Sequence, residues 1–446
     1  MTGNTLSERI REWTVRHEPA NIELARQLVR IQSENHPPLG YEAEVQAYYA
    51  DYLSRLGGSV RSYELSEVEG LTSHESFMPG RNYEGRPNVV ASFAGAGGGR
   101  SLIFSGHADT VYQGTEKWTY GPFSGEVTDG KLYGRGSYDM KGGMAAAICA
   151  VRCLQELGVR LKGDVHIESV IDEEHGGANG TLAGRLLGPH ADMAIIPEPT
   201  NLRINPAHLG GGIWKAEFTG KSGIGFNGEE LISALEAMVS FVLLLRKFKT
   251  HLNAKYPAPD YWAKSGRPLE VVSLTMLSGD TTRQFQEKTP ETAEMNFWIE
   301  GYPGMTGQQI IDDLWSFYEA NLADYPELAI CRPVITPKIR YLLGSEMGDS
   351  AEVRDFLQVV NRTGHQALGR DPGPALGTPF ACDGFMFNVY SSTPALVLGP
   401  AGANAHAADE YMDLASYSEL IRWYAEIMAD WCGVAEDRDL AGGATR

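Results

Sequence analysis

The sequence predicts an α/β protein in which a mixed, largely parallel sheet is flanked by helices and interrupted by an inserted ferredoxin-like α+β domain. Over roughly the first 200 residues, short apolar segments alternate with amphipathic helical segments, which is typical of parallel strands joined by helices. From residue 208 to residue 345 the order becomes strand–helix–strand–strand–helix–strand, that of a ferredoxin-like sandwich. We therefore expect one domain from residues 1–207 and 346–446, and a second from residues 208–345.

The individual elements follow from periodicity and from the residues that interrupt it. Helices are predicted where apolar residues recur at helical spacing, often ahead of a glycine, and strands where short apolar runs are bounded by Gly, Pro or charged residues. The predicted helices are 21–33, 41–56, 142–157, 229–251, 307–322, 350–368 and 417–432. The predicted strands are 88–93, 101–105, 164–171, 193–196, 213–219, 271–277, 292–299, 334–343 and 395–398.

Composition excludes several classes of protein. The chain has 57 acidic and 38 basic residues, a formal net charge of −19 that opposes binding to nucleic acid or to an anionic membrane. Its five cysteines are scattered without paired spacing, so we expect no structural disulfide and a reducing compartment. Neither an N-terminal apolar segment of the secretory type nor an apolar run of about 18 residues is present in the sequence. The expected location is cytoplasmic.

Polar side chains follow the predicted strands at their carboxyl ends, where open α/β sheets bind ligands. His107 and Asp109 stand two residues apart after the 101–105 strand, so both point to one side of an extended chain. Asp139 lies in a glycine-rich segment whose backbone freedom permits a tight turn that presents one carboxylate. Each motif alone has a simpler interpretation, since His107 could be an ordinary loop histidine and Asp139 a helix N-cap.

Three further motifs follow later strands. Glu173 and Glu174 belong to an acidic run directly after an apolar strand, where carboxylates are costly unless a cation meets them. Glu198 stands between two prolines, and His406 follows the last strand. Taken alone, the acidic run is a solvated turn. Taken together, the motifs supply nitrogen and oxygen ligands for two divalent cations such as Zn²⁺, Mn²⁺ or Co²⁺. The predicted ligands are His107, Asp139, Glu174, Glu198 and His406.

The order and spacing of these motifs resemble those of the acetylornithine deacetylase, succinyl-diaminopimelate desuccinylase, aminoacylase and carboxypeptidase G family of two-metal amidohydrolases. The resemblance covers nearly the whole chain, and the inserted domain matches the family's lid and dimerisation domain. It implies that Asp139 bridges both cations. His107 and Glu198 then complete one site. Glu174 and His406 complete the other.

The resemblance also implies the remaining catalytic roles and the partners. Glu173 would be the general base and acid, taking a proton during attack and returning it to the leaving nitrogen. Asp109 would lie behind His107 as a supporting carboxylate. Two cations about 3.5–4 Å apart would bring the pKa of a shared water toward neutrality. The expected partners are a small-molecule substrate and a second copy of the chain, bound through the lid.

The lid departs from the family pattern. Where the family places a histidine after the first lid strand, this sequence has Ile224. The family's Asn position falls at Glu287, and its D-x-R falls near Trp298 and Glu300. Donors to the oxyanion of an amide substrate, each typically worth about 3–4 kcal/mol, are therefore missing from these positions. Four residues are candidate replacements in contact with substrate: Arg283, His208, Thr378 and Asn404.

These observations predict a metal-dependent hydrolase that cleaves a C–N bond in a small carboxylate-bearing substrate, an N-acyl amino acid or a peptide-type amide. Because the lid is divergent, the alternative is an aminohydrolase of an aromatic amine, similar to nitroanthranilate aminohydrolase. A third interpretation is a catalytically silent binding module. The silent module is disfavoured because all five ligands and Glu173 are present.

Overall fold

A computed structural model describes residues 4–279 and 287–436. The chain divides into two compact units. The large unit comprises Met1–Ala207, Glu346–Thr378 and Asp383–Arg446, and the inserted unit comprises His208–Ser345 and Pro379–Cys382.

Helices and strands are numbered along the chain. The α-helices are α1 Leu6–Arg16, α2 Glu18–Arg30, α3 Ala43–Arg55, α4 Lys141–Glu156, α5 Gly180–Leu187, α6 Ala234–Lys255, α7 Asp260–Ala263, α8 Gly307–Asn321, α9 Pro326–Ile330, α10 Ala351–Leu368, α11 Phe385–Asn388 and α12 Leu414–Cys432. The strands are β1 Asn35–His36, β2 Leu39–Gly40, β3 Ser59–Glu64, β4 Pro87–Phe93, β5 Leu102–His107, β6 Glu126–Thr128, β7 Lys131–Tyr133, β8 Val165–Val170, β9 Met193–Ile196, β10 Ala207–Thr219, β11 Val271–Ser278, β12 Thr292–Gly301, β13 Val334–Pro337, β14 Ser345–Glu346, β15 Gly377–Ala381, β16 Ala395–Val397, β17 Gly402–Ala403 and β18 Tyr411–Asp413.

The large unit is built on a six-stranded mixed sheet with the order β16-β9-β5-β8-β4-β3. The four strands from β16 to β8 are parallel, whereas β4 and β3 run antiparallel to their neighbours. Strand β5 is buried along its whole length, and the Ala-rich helix α4 packs against α12 and α2. The predicted fold class, a mixed and largely parallel sheet flanked by helices, is confirmed.

The inserted unit contains the strands and helices β10, α6, β11, β12, α8 and β13 in the predicted order. Its sheet has the order β11-β12-β10-β13 with antiparallel pairing throughout this path, as in a ferredoxin-like sandwich. Strand β10 begins at Ala207, ahead of the predicted start at residue 213, because the three glycines at 210–212 continue the strand instead of breaking it. A Cβ on Gly211 would lie 2.0 Å from the Trp298 ring, so this close packing requires glycine.

A second sheet in the large unit has four short antiparallel strands in the order β17-β18-β7-β6. Its strands contain only two or three residues each, too few for a periodic pattern, and sequence analysis did not predict them. The pairing of Tyr411 with Tyr133 brings the segment before β18 next to the segment after β7.

No disulfide joins any two of the five cysteines, and each cysteine is buried. Within the described residues, no helix is both long enough and apolar enough to span a membrane.

Candidate metal centre

The main sheet brings three of the predicted motifs to one edge. His107 is the last residue of β5 and pairs with Val170, the last residue of β8. Glu173 and Glu174 follow β8 by a short turn, and Glu198 follows the parallel strand β9 two residues after its end. Because parallel strands end at the same edge of a sheet, these side chains converge there.

The small sheet brings the other two motifs to the same place. Asp139 follows β7, and His406 lies between β17 and β18. The backbone N–H of Gly134 donates to the carbonyl of Glu410 at 2.9 Å, which joins the two loops directly. His406 has φ +64°, a left-handed conformation that is uncommon for a residue other than glycine and often occurs at functional sites.

The carboxylate of Asp139 lies between the two histidine rings. Its Oδ1 is 3.2 Å from His107 Nε2, and its Oδ2 is 3.2 Å from His406 Nε2. His107 Nε2 also lies 3.5 Å from Glu198 Oε1. On the opposite side, His406 Nε2 lies 3.1 Å from Glu174 Oε2. The structure therefore groups the five side chains as two overlapping sets that share Asp139.

These distances match the geometry of a metal site. Two ligand atoms bound to one tetrahedral cation at about 2.0–2.1 Å lie about 3.3–3.4 Å from each other. Two further groupings have ligand atoms that all lie within 4.8 Å of one another: His107 with Asp139 and Glu174, and His107 with Glu173 and Glu198. The residues present thus fit divalent cations, and Glu173 lies close enough to be a competing ligand.

Electrostatics favour a cation at this position. Burial, together with the adjacent carboxylate of Asp139, raises the pKa of Glu198 to about 8. Burial lowers the pKa of His107, but its hydrogen bonds with Asp139 and Glu198 outweigh this and hold the pKa well above its ordinary value. Carboxylates this close together repel each other unless a proton or a cation lies between them. A bound cation would take the place of the shared protons.

Asp109 supports the site through the backbone. His107 Nδ1–H donates to the backbone carbonyl of Asp109 at 2.8 Å, which fixes the tautomer and leaves the Nε2 lone pair facing the other ligands. The Asp109 carboxylate lies 3.8 Å from Nδ1 and instead accepts the backbone N–H groups of Glu173 and Glu174, each at 3.0 Å. Asn35 Nδ2 donates a third hydrogen bond to it at 2.9 Å.

The structure describes three of the four predicted substrate contacts. Arg283 lies outside the described residues. His208 is buried, and both of its ring nitrogens already have a partner. Nδ1 lies 2.9 Å from the Leu209 carbonyl and Nε2 lies 2.8 Å from Ser345 Oγ, which argues against the predicted contact with substrate. Thr378 is fully buried, whereas Asn404 is exposed and donates to the Asp409 carbonyl at 3.1 Å.

Sequence analysis missed the buried network behind the acidic run. Asp172 is fully buried, with φ +70°. Its carboxylate accepts hydrogen bonds from Arg81 Nε at 2.9 Å and from Arg86 Nη2 at 3.0 Å. Asn35 Nδ2 and the Tyr83 hydroxyl each donate at 2.9 Å. The only sequence signal was the cost of three consecutive acids, which does not identify their partners.

Comparison with known proteins identifies the family. The family model described as Peptidase family M20/M25/M40 matches residues 103–430. N-formyl-4-amino-5-aminomethyl-2-methylpyrimidine deformylase of Bacillus subtilis is 26% identical over 443 residues, covering 93% of this chain and 95% of that protein. Acetylornithine deacetylase of Proteus mirabilis is 25% identical over 418 residues, covering 93% of this chain and 97% of that protein.

Solved structures show the same fold. Human carnosine dipeptidase 1 has a TM-score of 0.69 at 16% identity, covering 96% of this chain and 100% of that chain. The dipeptidase Dug1p of Saccharomyces cerevisiae has a TM-score of 0.71 at 13% identity, covering 96% of this chain and 98% of that chain. Since the family match spans well over half of the sequence, this chain belongs to Peptidase family M20/M25/M40 and is a metal-dependent hydrolase of C–N bonds.

Proposed function

We propose that this chain hydrolyses the amide bond that joins a short acyl group to the amine of a small, carboxylate-bearing molecule. The observation that carries the proposal is the position of Asp139, whose two carboxylate oxygens each lie 3.2 Å from a different histidine nitrogen. One carboxylate between two nitrogen ligands would give two neighbouring cation sites a shared ligand, which suits a two-cation hydrolase.

Two sets of side chains hold the cations in this proposal. His107, Asp139 and Glu198 form the first set. Glu174 and His406, again with Asp139, form the second. When bound, divalent cations supply Lewis-acid chemistry, polarising a carbonyl and making water more acidic. The donors are imidazole nitrogens and carboxylate oxygens without a thiolate, which suits Zn²⁺, Mn²⁺ or Co²⁺.

Glu173 acts as the general base and acid. It is adjacent in sequence to Glu174, and its backbone N–H is fixed by Asp109 at 3.0 Å. Its carboxylate oxygen lies within 4.8 Å of ligand atoms of His107 and Glu198. From this position it accepts the proton of the attacking water and delivers it to the leaving nitrogen. Asp109 is the positioning residue that fixes this segment.

The acyl group is proposed from the relatives. Two relatives that align over most of this chain are a deformylase and an acetylornithine deacetylase. Succinyl-diaminopimelate desuccinylase of Methylorubrum extorquens is 36% identical over 192 residues, covering 42% of this chain and 44% of that protein. All three names describe removal of a small acyl group from an amine.

A substrate panel tests the proposal. Metal-free protein is supplied with Zn²⁺, Mn²⁺ or Co²⁺ and assayed on N-formyl, N-acetyl and N-succinyl amines, on dipeptides and on aromatic amines. We expect metal-dependent release of the carboxylic acid from at least one N-acyl amine, and no release from the protein kept in chelator. Release of ammonia from an aromatic amine, with no acyl release, would instead establish the aminohydrolase. Cation binding without turnover of any of these compounds would refute the proposed substrate class.

We also propose that the protein is a homodimer joined through the inserted unit. Strand β11 is an edge strand that exposes Leu274 and Met276, 47% and 53% accessible. Helix α6 packs beside it and exposes Leu235, Val239 and Leu243 at a spacing of four residues, a continuous apolar stripe. Light scattering on the intact protein should give twice the chain mass, and Val239→Glu should give the chain mass. A monomeric wild-type protein would refute the proposal.

The location that we propose is the cytoplasm. The structure joins none of the five buried cysteines to another by a disulfide, which suits a reducing compartment. Fractionation of cells that express the protein should recover it with cytoplasmic markers, and recovery in a secreted fraction would contradict the proposal.

A further inference from the structure

Glu410 is a fully buried carboxylate that no part of the proposed mechanism uses. It lies four residues after His406 and directly precedes β18. Its Oε1 accepts two consecutive backbone N–H groups, that of Tyr138 at 3.0 Å and that of Asp139 at 3.1 Å. Its Oε2 accepts Arg135 Nη1 at 2.7 Å. Each oxygen of this buried carboxylate thus has a hydrogen-bond donor.

Arg135 is an equally buried partner, 1% exposed. Its guanidinium lies 5.2 Å from the centre of the Trp118 ring, and its Nη2 donates to the Tyr112 carbonyl at 3.4 Å. A buried carboxylate is tolerated only when it is paired and hydrogen-bonded, and Arg135 meets this need from within the glycine-rich segment that carries Asp139. Glu410 therefore connects that segment to the loop that carries His406.

The contact has a counterpart on the other side of the site. Asp109 accepts the N–H groups of Glu173 and Glu174, and Glu410 accepts those of Tyr138 and Asp139. In both places a buried carboxylate binds two successive peptide N–H groups, the second of which belongs to a proposed ligand. Fixing the peptide before a short side chain fixes the direction of its Cα–Cβ bond, which for Asp139 limits the positions that its two oxygens can reach.

We propose that Glu410 is a positioning residue for the metal centre, holding Asp139 between His107 and His406, with Arg135 as its counter-ion. This inference rests on the proposed function, in which Asp139 bridges two cations. It predicts that Glu410 affects cation affinity through two backbone hydrogen bonds, without touching a cation or the substrate.

The inserted unit offers a matched control. Glu300 is also a buried carboxylate, 4% exposed, and Arg267 donates to both of its oxygens at 2.8 Å. The Glu300 carboxylate also accepts a hydrogen bond from the backbone N–H of Glu270 at 2.8 Å. Glu300, like Glu410, therefore accepts hydrogen bonds from an arginine guanidinium and from the backbone. Unlike Glu410, it has no hydrogen-bond partner that is a proposed metal ligand. Glu300→Gln therefore reproduces the loss of a buried charge without the proposed effect on Asp139.

The experiment is a calorimetric titration of Zn²⁺ into metal-free full-length protein, for wild type, Glu410→Gln and Glu300→Gln. Removal of an outer partner of a metal ligand typically weakens binding about 10–100-fold. Glutamine keeps only one acceptor oxygen, which cannot serve both Arg135 and the two backbone N–H groups, so we expect that loss for Glu410→Gln. We expect wild-type affinity for Glu300→Gln. Thermal unfolding of the metal-free proteins, measured in parallel, reports how far each substitution destabilises the fold.

The outcomes separate the two proposals. A wild-type protein that binds none of Zn²⁺, Mn²⁺ and Co²⁺ would refute the proposed function itself. If wild type binds two cations, equal affinity in Glu410→Gln overturns the positioning role, as does an equal loss in Glu300→Gln. Should Glu410→Gln fail to fold, Glu410→Asp keeps the negative charge opposite Arg135 but shortens the reach to the Asp139 amide. We expect weaker Zn²⁺ binding from it, and wild-type affinity would again overturn the proposal.

Discussion

Replacing Glu173 with glutamine tests whether this residue is a base or a ligand. The substitution preserves the size and shape of the side chain but removes its charge and its ability to accept a proton. The structure makes the test necessary, because a Glu173 carboxylate oxygen lies within 4.8 Å of ligand atoms of both His107 and Glu198. The distances that connect the five proposed ligands, 3.1–3.5 Å, do not involve Glu173.

The expected magnitude follows from these contacts. Because each of the five proposed ligands remains in Glu173→Gln, both cations should stay bound with unchanged affinity. General acid–base catalysis typically contributes about 100- to 10,000-fold in rate, which corresponds to about 3–5 kcal/mol of transition-state stabilisation. We therefore expect kcat to fall by about 100-fold or more, with little change in KM.

The assay combines initial rates on the N-acyl amine from the substrate panel with metal content after dialysis. Glu198→Gln is the control, since loss of a ligand should reduce the cation content. Loss of a cation from Glu173→Gln would make Glu173 a ligand and refute its role as the base. A rate close to that of wild type would refute the role as well.

Three further predictions concern stability. Asp172→Asn should lower the free energy of unfolding by about 3–5 kcal/mol in a denaturant titration, because it removes a buried charge that Arg81 and Arg86 contact. Asp51→Asn, in an exposed ion pair with Arg55, should cost less than about 1 kcal/mol. Burial lowers the pKa of His208 from 6.5 to about 4, so its unfolded form gains a proton first as the pH falls. Stability should decline between pH 6.5 and 4 by up to about 3 kcal/mol, and His208→Gln should remove that part of the decline. Zn²⁺ at about 100 times its Kd should stabilise the metal-free protein by about 2.7 kcal/mol, seen as a higher Tm, and an unchanged Tm would contradict binding to the folded state.

The sequence predicts which strands of the main sheet precede the proposed ligands, because strand ends are local features. Strand β9 has the predicted bounds, Met193–Ile196, and β8 differs from its prediction by one residue at each end. Once two parallel strands are known to end at one edge, the residues that follow them must be neighbours. The expectation that His107 and Glu198 lie at one end of the sheet follows from these strand ends, whereas their pairing in one cation site is what the family resemblance implies.

The supporting contacts could not be predicted, because they depend on which backbone a side chain meets. Glu410 was visible in the sequence only as one acid near His406, and nothing local shows that it accepts the Asp139 N–H. The small sheet that brings the two loops together has strands too short to leave a pattern. Helix α1 is also absent from the predicted helices, although the Thr5–Glu8 capping box at its start is a sequence signal for a helix N-terminus.

The residues that recognise the substrate are also difficult to predict, because exposed side chains are weakly constrained by packing. Ile224 and Phe226 of the inserted unit are 52% and 84% exposed. Packing constrains a buried side chain strongly, whereas an exposed one is free to change with the substrate. By contrast, His107 is 1% exposed and tightly packed. Packing therefore constrains Ile224 and Phe226 less than it constrains His107.

The two proposed cation sites differ in exposure, and their cations should therefore differ in exchange rate. His107 and Glu198 have side chains that are 1% and 5% exposed, whereas His406 is 55% exposed and lies on a loop. A ligand that reaches water easily allows a competing chelator to approach its cation. Dialysis against a chelator should therefore remove one cation quickly and the other slowly, and His406→Ala should retain the slow phase alone. A single phase in wild type, or loss of the slow phase in His406→Ala, would show that burial of the ligands does not control release.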